Sequence, residues 1–72
     1  DHDCQIGDYS HIAPNSTLCG NVIVGRQSLI GAGAVVVPGV KIGDQCVIGA
    51  GAVVVKDVPS HTTVVGNPGN PR

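Results

Sequence analysis

The sequence predicts an all-β fold, a parallel β-helix of about three coils, and three observations lead to this prediction. An aliphatic residue recurs at every sixth position without a skip: Ile6, Ile12, Leu18, Val24, Ile30, Val36, Ile42, Ile48 and Val54. Turn-forming residues lie between most of these positions, and one segment of the repeat recurs three hexads later. A period of six fits neither the helical period of 3.6 nor a simple strand alternation.

Each hexad predicts one short strand and one corner. If the aliphatic residue is position one, positions three and four are mostly turn pairs. Six of the nine fourth positions are Gly, Asn or Asp, which best tolerate a positive φ. Positions five, six, one and two then form the strand. Alternation sends positions five and one inward and positions six and two outward.

Three hexads close one coil, since the segment 30–37 (IGAGAVVV) recurs as 48–55. Strands stack about 4.8 Å apart, so three coils predict a prism only about 15 Å tall. A core this small usually needs further coils, caps or partner chains.

The repeat divides the chain into two predicted regions. Residues 1–58 form the β-helix, and the Pro- and Gly-rich residues 59–72 form a tail or cap across the last coil. Such a cap covers a strand edge that would otherwise stay open. The chain starts without Met and close to the repeat, which suggests a fragment or a processed chain.

Composition narrows the function classes. Tyr9 is the one aromatic residue and the net charge is −1, so no basic patch or aromatic platform favours nucleic acid. No apolar run reaches membrane length and no signal peptide is present. Three cysteines without CxxC spacing fit small packed thiols in a reducing, cytoplasmic setting.

Outward position six carries aliphatic residues in two adjacent columns. Leu29 and Val47 stack over His11, and two valines stack over Thr17 in the next column. A lone monomer rarely exposes such a patch, so we expect a subunit interface in a closed oligomer, most simply a homotrimer. Cover by the tail or by an N-terminal domain is the alternative.

The candidate chemistry is concentrated at one predicted corner. His2 and Asp3 are adjacent there, and Gly20 lies three hexads after His2, at the same corner one coil above. Stacking brings the backbones of His2 and Gly20 to about 5 Å. A histidine beside a carboxylate, with a glycine N–H above, is a candidate general base with an oxyanion donor. A solvated turn with no catalytic role explains the same pair.

The other two histidines carry weaker signals. His11 points outward, where packing on Leu29 at an interface explains it, and His61 lies in the tail without an expected role. The three histidines are not spaced one coil apart. This disfavours a three-histidine zinc site shared between protomers, and we expect no metal.

The hexads resemble the left-handed β-helix acyltransferases with hexapeptide repeats. More narrowly, residues 2–14 (HDCQIGDYSHIAP), 20–22 (GNV) and 64–68 (VVGNP) are similar to the sialic acid O-acetyltransferase and UDP-amino-sugar N-acetyltransferase group. The resemblance covers essentially the whole chain. It implies a left-handed coil, a trimer with active sites between protomers, and acetyl-CoA lying along the prism as the co-substrate.

The resemblance also implies roles for single residues. His2 looks like the general base for the acceptor amine or hydroxyl, and Asp3 like the acidic residue that orients it. His11 looks like a contact to acetyl-CoA near the thioester, and Gly20 like the backbone donor to the thioester oxygen. Two alanines at successive equivalents of one corner look like backbone contacts to the pantetheine arm: Ala32 and Ala50.

The leading interpretation is an acetyl-CoA-dependent acetyltransferase with direct transfer to a sugar acceptor, either a UDP-4-amino-sugar or sialic acid. The alternatives are a serine or maltose acetyltransferase-like enzyme, a non-catalytic β-helical trimeric assembly module, and a zinc hydratase. Members of the resembled group carry an N-terminal lobe that holds the nucleotide sugar. We therefore expect this chain to lack most of the acceptor site.

Overall fold

The computed structural model describes residues 3–72, and Asp1 and His2 lie outside the described part. Within that part, the backbone forms eleven short strands around a prism of 26 × 21 × 20 Å. The strands are β1 (Gln5–Ile6), β2 (His11–Ile12), β3 (Thr17–Leu18), β4 (Ile23–Val24), β5 (Leu29–Ile30), β6 (Val35–Val36), β7 (Lys41–Ile42), β8 (Val47–Ile48), β9 (Val53–Val54), β10 (Thr63–Val65) and β11 (Asn70–Pro71). Residues 3–72 contain no helix that is long and apolar enough to cross a membrane.

The strands stack into three faces. The first face contains β1, β4 and β7, the second contains β2, β5, β8, β10 and β11, and the third contains β3, β6 and β9. Neighbouring strands in successive coils run parallel, and each residue pairs with the one three hexads later, as in Ile6–Val24 and Ile12–Ile30. This register confirms the predicted parallel β-helix and its coil of three hexads.

Inward positions one and five form the core, as predicted. From Leu18 to Val58, every residue at these positions is at most 8% exposed. Ile6 is 42% exposed because it lies in the first coil, at the open end of the prism. Burial of each Val or Ile side chain contributes roughly 1.5–3 kcal/mol, so the stacked aliphatic rows supply the main stabilisation.

Three corners join the faces, and we name each by its residues. The glutamine corner (8–9, 26–27, 44–45 and 60–61) joins the first face to the second. The alanine corner (14–15, 32–33, 50–51 and 66–67) joins the second to the third. The Gly20 corner (3, 20–21, 38–39 and 56–57) joins the third back to the first.

Position four of the corners is left-handed in eight of the nine hexads, with φ between 53° and 80°. The residues that adopt it are Tyr9, Asn15, Asn21, Gln27, Gly33, Gly39, Gln45 and Gly51. A Cβ on Gly33 or Gly39 would meet nothing within 4 Å, so the backbone angle alone favours glycine there. Asp57 is the fourth-position residue without a positive φ.

Two inward serines hold the glutamine corner. Each serine side chain hydrogen-bonds two backbone groups of the coil above, and we call this arrangement a polar clasp. Ser10 Oγ donates to the Gly25 carbonyl at 2.6 Å and accepts from the Ser28 N–H at 3.0 Å. Ser28 Oγ repeats this with the Gly43 carbonyl at 2.8 Å and the Cys46 N–H at 3.0 Å. Because Ser28 and Cys46 are each 1% exposed, the Ser28 hydroxyl satisfies the Cys46 N–H where water does not reach.

The C-terminal segment extends the stack with a shorter spacing. Val58 bridges to Ile42 and Val64 pairs with Ile48. Each valine thus follows its partner by two residues fewer than the three hexads that separate paired residues elsewhere. The spacing of six is therefore broken in the sequence, although Val64 still points inward and is 3% exposed. β11 then folds back antiparallel to β10. The division of the chain at residue 58 stays a prediction.

Candidate active site

The Gly20 corner places Asp3 one coil below Asn21, with both residues in the left-handed conformation. Asp3 is exposed and has no hydrogen-bond or ion-pair partner among residues 3–72. The Gly20 carbonyl accepts from the Gly39 N–H at 3.0 Å, while no described residue accepts from the Gly20 N–H. The corner thus presents one carboxylate and one open amide donor. His2, the predicted base, lies outside the described residues.

His11 lies on β2 of the second face, and its side chain is exposed. Its own N–H donates to the Ser28 carbonyl at 2.9 Å, which fixes the backbone of the residue. Leu29 pairs with His11, and Val47 pairs with Leu29, so the predicted column above the histidine is confirmed. Leu29 is 42% and Val47 is 40% exposed. The imidazole therefore lies below an apolar strip that consists of Leu29 and Val47.

Ala32 and Ala50 stack at the alanine corner, where both are exposed. The Gly51 N–H donates to the Ala32 carbonyl at 2.9 Å, which ties the two turns together. The N–H groups of Ala32 and Ala50 have no hydrogen-bond partner in the described part of the chain. The alanine corner therefore offers two open donors, one coil apart.

The glutamine corner differs at the equivalent position three. The Arg26 N–H donates to Asp44 Oδ1 at 2.8 Å, and the Asp44 N–H donates to Ser60 Oγ at 2.8 Å. Side chains from the coil above thus occupy the donors that the alanine corner leaves open. Since the methyl group of alanine cannot accept a hydrogen bond, the residue type explains the difference.

Gly31 is a contributor that the sequence analysis missed. A Cβ on Gly31 would lie 2.6 Å from the Ala50 N atom and 2.8 Å from the Ile48 carbonyl oxygen. The missing side chain lets the coils stack and keeps the Ala50 N–H uncovered. The signal in the sequence was the Gly-Ala pair repeated as Gly31-Ala32 and Gly49-Ala50.

The structure separates the predicted site residues into two groups. Asp3 and Gly20 lie at the corner between the third and first faces, whereas His11 lies on the second face, across the core from that corner. Ala32 and Ala50 lie at the edge of the second face. One copy of the chain therefore does not bring His11 and Gly20 to the same reacting atom.

A cavity of about 560 Å³ lies apart from these residues, at the open end of the prism. None of the predicted site residues is among the residues that line it: Cys4, Ile6, Ile12, Ser16, Thr17 and Leu18. Within residues 3–72, no three His, Cys, Asp or Glu side chains are grouped so that they could hold a metal ion.

Comparison with known proteins identifies similar enzymes. A GDP-perosamine N-acetyltransferase from Escherichia coli O157:H7 is 49% identical over 35 residues, which is 49% of this chain and 16% of that protein. The structure of PerB from Caulobacter crescentus in complex with CoA and GDP-perosamine superposes with a TM-score of 0.98 at 44% identity, over 100% of this chain and 35% of that one. The acetyltransferase domain of PglB from Neisseria gonorrhoeae in complex with acetyl coenzyme A gives 0.98 at 43% identity, with the same coverage.

The chain spans about a third of the length of these solved structures. Superposition preserves hand, and the fold is the left-handed parallel β-helix. The model of the bacterial transferase hexapeptide family (six repeats) matches residues 21–56, half of the sequence. The chain therefore belongs to the bacterial transferase hexapeptide family.

Proposed function

We propose that the protein containing this chain transfers the acetyl group of acetyl-CoA to the amine of a nucleotide-linked amino sugar. The observation that carries the proposal is the superposition of the whole chain on PerB bound to CoA and GDP-perosamine. The open backbone donors at two corners of the prism supply matching chemistry.

The alanine corner supports the binding of acetyl-CoA. The pantetheine arm carries two amide groups, whose carbonyl oxygens need N–H donors when they leave water. Ala32 and Ala50 offer such donors one coil apart, on an exposed edge of the prism. His11 stands on the adjoining face, and we assign it to the thioester end of the cofactor.

The Gly20 corner supports the transfer step. In the proposed reaction, His2 accepts a proton from the acceptor amine as the nitrogen attacks the thioester carbonyl carbon. A C–N bond forms, and the oxygen of the tetrahedral intermediate accepts a hydrogen bond from the Gly20 N–H. The C–S bond then breaks and CoA leaves as the thiolate. Asp3 orients the His2 imidazole and stabilises its protonated form.

The separation of the two residue groups supports an active site shared between copies. His11 and Gly20 lie across the core from each other, so the Gly20 corner of one copy has to face the second face of another to complete the site. The exposed Leu29 and Val47 beside His11 supply an apolar contact for that packing. A homotrimer closes this arrangement in its simplest form. We place the reaction in the cytoplasm, where acetyl-CoA and free thiols coexist.

The test is CoA release by the full-length protein with separate acceptors. GDP-perosamine, a UDP-4-amino-sugar, sialic acid and serine are each offered with acetyl-CoA. We expect turnover with an amino-sugar nucleotide and a loss of about 10²–10⁴ in the His2→Ala variant. Turnover with sialic acid would establish O-transfer instead, and turnover with serine a different subfamily. A folded oligomer that neither binds acetyl-CoA nor turns over would favour the assembly module.

A further inference from the structure

A thiol holds the peptide group that carries the proposed oxyanion donor. Cys4 Sγ donates to the Cys19 carbonyl oxygen at 3.2 Å, and this carbonyl belongs to the same peptide unit as the Gly20 N–H. We infer that Cys4 is a positioning residue that fixes the Cys19–Gly20 peptide so that the Gly20 N–H faces the thioester oxygen. The inference rests on the proposed function, and it adds a residue to which no role in transfer had been assigned.

The geometry repeats one half of the polar clasp of the glutamine corner, the contact from the side chain to a carbonyl. Ser10 and Ser28 each donate to a carbonyl 15 residues ahead, at 2.6 Å and 2.8 Å, and Cys4 donates to a carbonyl 15 residues ahead as well. The Cys4 thiol also lies 3.8 Å from the Leu18 carbonyl oxygen, a second and longer contact with the coil above. The shorter of the two contacts is to the peptide group that leads into the Gly20–Asn21 turn.

The position of this clasp distinguishes it from the serine clasps. Cys4 is at position five of the Gly20 corner, and the next coils carry Val22 and Val40 at the same inward position. The Val22 side chain cannot hydrogen-bond, and Gly39 in the corner above it still adopts the left-handed conformation. Among the described residues, the Gly20 corner thus has a side-chain donor to a corner carbonyl only in the coil directly below Gly20. Stacking alone does not require a thiol there.

The planarity of the peptide bond links this contact to catalysis. Fixing the Cys19 carbonyl oxygen also fixes the direction of the N–H on the opposite side of the same plane. A carbonyl that accepts a hydrogen bond polarises its amide, which strengthens the N–H as a donor. An oxyanion donor stabilises the transition state only when it is aimed at the position of the developing charge. Both effects act on the rate of transfer more than on the affinity for acetyl-CoA.

The experiment compares Cys4→Ser, Cys4→Val and Cys4→Ala in the full-length protein, with a GDP-perosamine or UDP-4-amino-sugar acceptor. Serine keeps a donor and an acceptor, whereas valine reproduces the next two coils and preserves packing. We expect Cys4→Ser to stay within about 3-fold of the wild-type kcat. For Cys4→Val we expect a loss of about 10-fold in kcat, smaller than the 10²–10³ of a deleted oxyanion donor, with little change in KM for acetyl-CoA.

The matched control is Ser28→Ala, which removes an equivalent clasp from the glutamine corner. It should lower Tm and leave kcat unchanged below the melting range, whereas Cys4→Ala should lower kcat. A second readout is the infrared stretch of the ¹³C-labelled acetyl carbonyl of bound acetyl-CoA. A well-aimed N–H moves this stretch to lower frequency, and the shift should be smaller in Cys4→Val than in the wild type. A merely structural role would not produce that difference.

The outcomes separate this inference from the proposed function. A wild-type enzyme that turns over and shifts the carbonyl stretch, with Cys4→Val and Cys4→Ala matching it in both, overturns the inference alone. An acetyl group found covalently on Cys4 during turnover also overturns it, because the thiol would then be a nucleophile. A wild-type protein with neither turnover nor a carbonyl shift overturns the proposed function, and the inference with it.

Discussion

The hydroxyl of Ser10 accepts a hydrogen bond from the N–H of Ser28 at 3.0 Å, one coil above it. Ser28 then accepts from Cys46 in the same way, so one vertical row of polar groups crosses an otherwise aliphatic interior. At the other two corners of these coils, the inward residues are mostly alanine and valine. The row thus ties successive coils together at the glutamine corner through side chains as well as backbone.

Removing one member of this row should destabilise the fold. Ser28→Ala leaves the half-buried Gly43 carbonyl and the buried Cys46 N–H without their partner, at a cost of about 1–3 kcal/mol. Urea unfolding monitored by circular dichroism measures the change. The control is Ser60→Ala, which loses an exposed bond from the Asp44 N–H that water can replace. Equal losses of unfolding free energy in the two variants would show that burial does not determine how much the clasp stabilises the fold.

Gly31→Ala should both weaken the stack and reduce acetyl-CoA binding. The new Cβ would lie 2.6 Å from the Ala50 N atom, and crowding of this kind costs about 1–3 kcal/mol. Calorimetric titration with acetyl-CoA measures the second effect. Gly33→Asn is the control, because the site has open space and asparagine tolerates its φ of +71°. Unchanged acetyl-CoA affinity in a folded Gly31→Ala variant would remove the Ala50 N–H from the cofactor site.

A charge in the apolar strip should break the oligomer. Val47→Lys places a cation at a 40% exposed position above Leu29, where a subunit contact would have to desolvate it. Light scattering after size exclusion measures the mass of the particle. Ile23→Lys is the control, since Ile23 is 36% exposed at the same hexad position but stacks between Gln5 and Lys41. If both variants keep the mass of the wild type, the strip is not the interface.

Asp3→Asn should slow transfer without changing the fold. Asparagine suits the left-handed conformation of residue 3 (φ 56°) but loses the charge that would stabilise a protonated His2. We expect a fall of about 10-fold or more in kcat, the direction seen when a catalytic histidine loses its carboxylate. Asp8→Asn removes a carboxylate from the glutamine corner and serves as the control. A wild-type rate in Asp3→Asn would leave the His2–Asp3 pair as a solvated turn.

The sequence predicted the fold closely because the repeat fixes register. The aliphatic residue at every sixth position sets which residues face inward, and the recurrence of 30–37 as 48–55 sets three hexads per coil. The pairs Leu29–Val47 and Val35–Val53 followed from these two patterns. The polar clasps could not be read in this way, since a serine at position five looks like any small inward residue. Their partners are backbone groups, which no residue type reveals.

The candidate site was predictable only in part. The stacking of Asp3 under Asn21 follows from the spacing of three hexads, as does that of Ala32 under Ala50. Which N–H groups stay open depends on whether a side chain of the next coil reaches back, as Asp44 does toward Arg26. The shortened offset at Val64 escaped the sequence analysis because the shortening falls in a Pro-containing stretch without periodicity.

The fold-back of β11 also bears on how copies of this chain meet end to end. A stack of parallel strands is a template that another stack can extend, as in fibrous β-assemblies. Here the outermost strand of the second face runs in the opposite direction and contains Pro71, which has no N–H to offer. Head-to-tail polymerisation is thereby discouraged at this end of the prism. The sides of the prism, where the proposed shared active site lies, are free of this constraint.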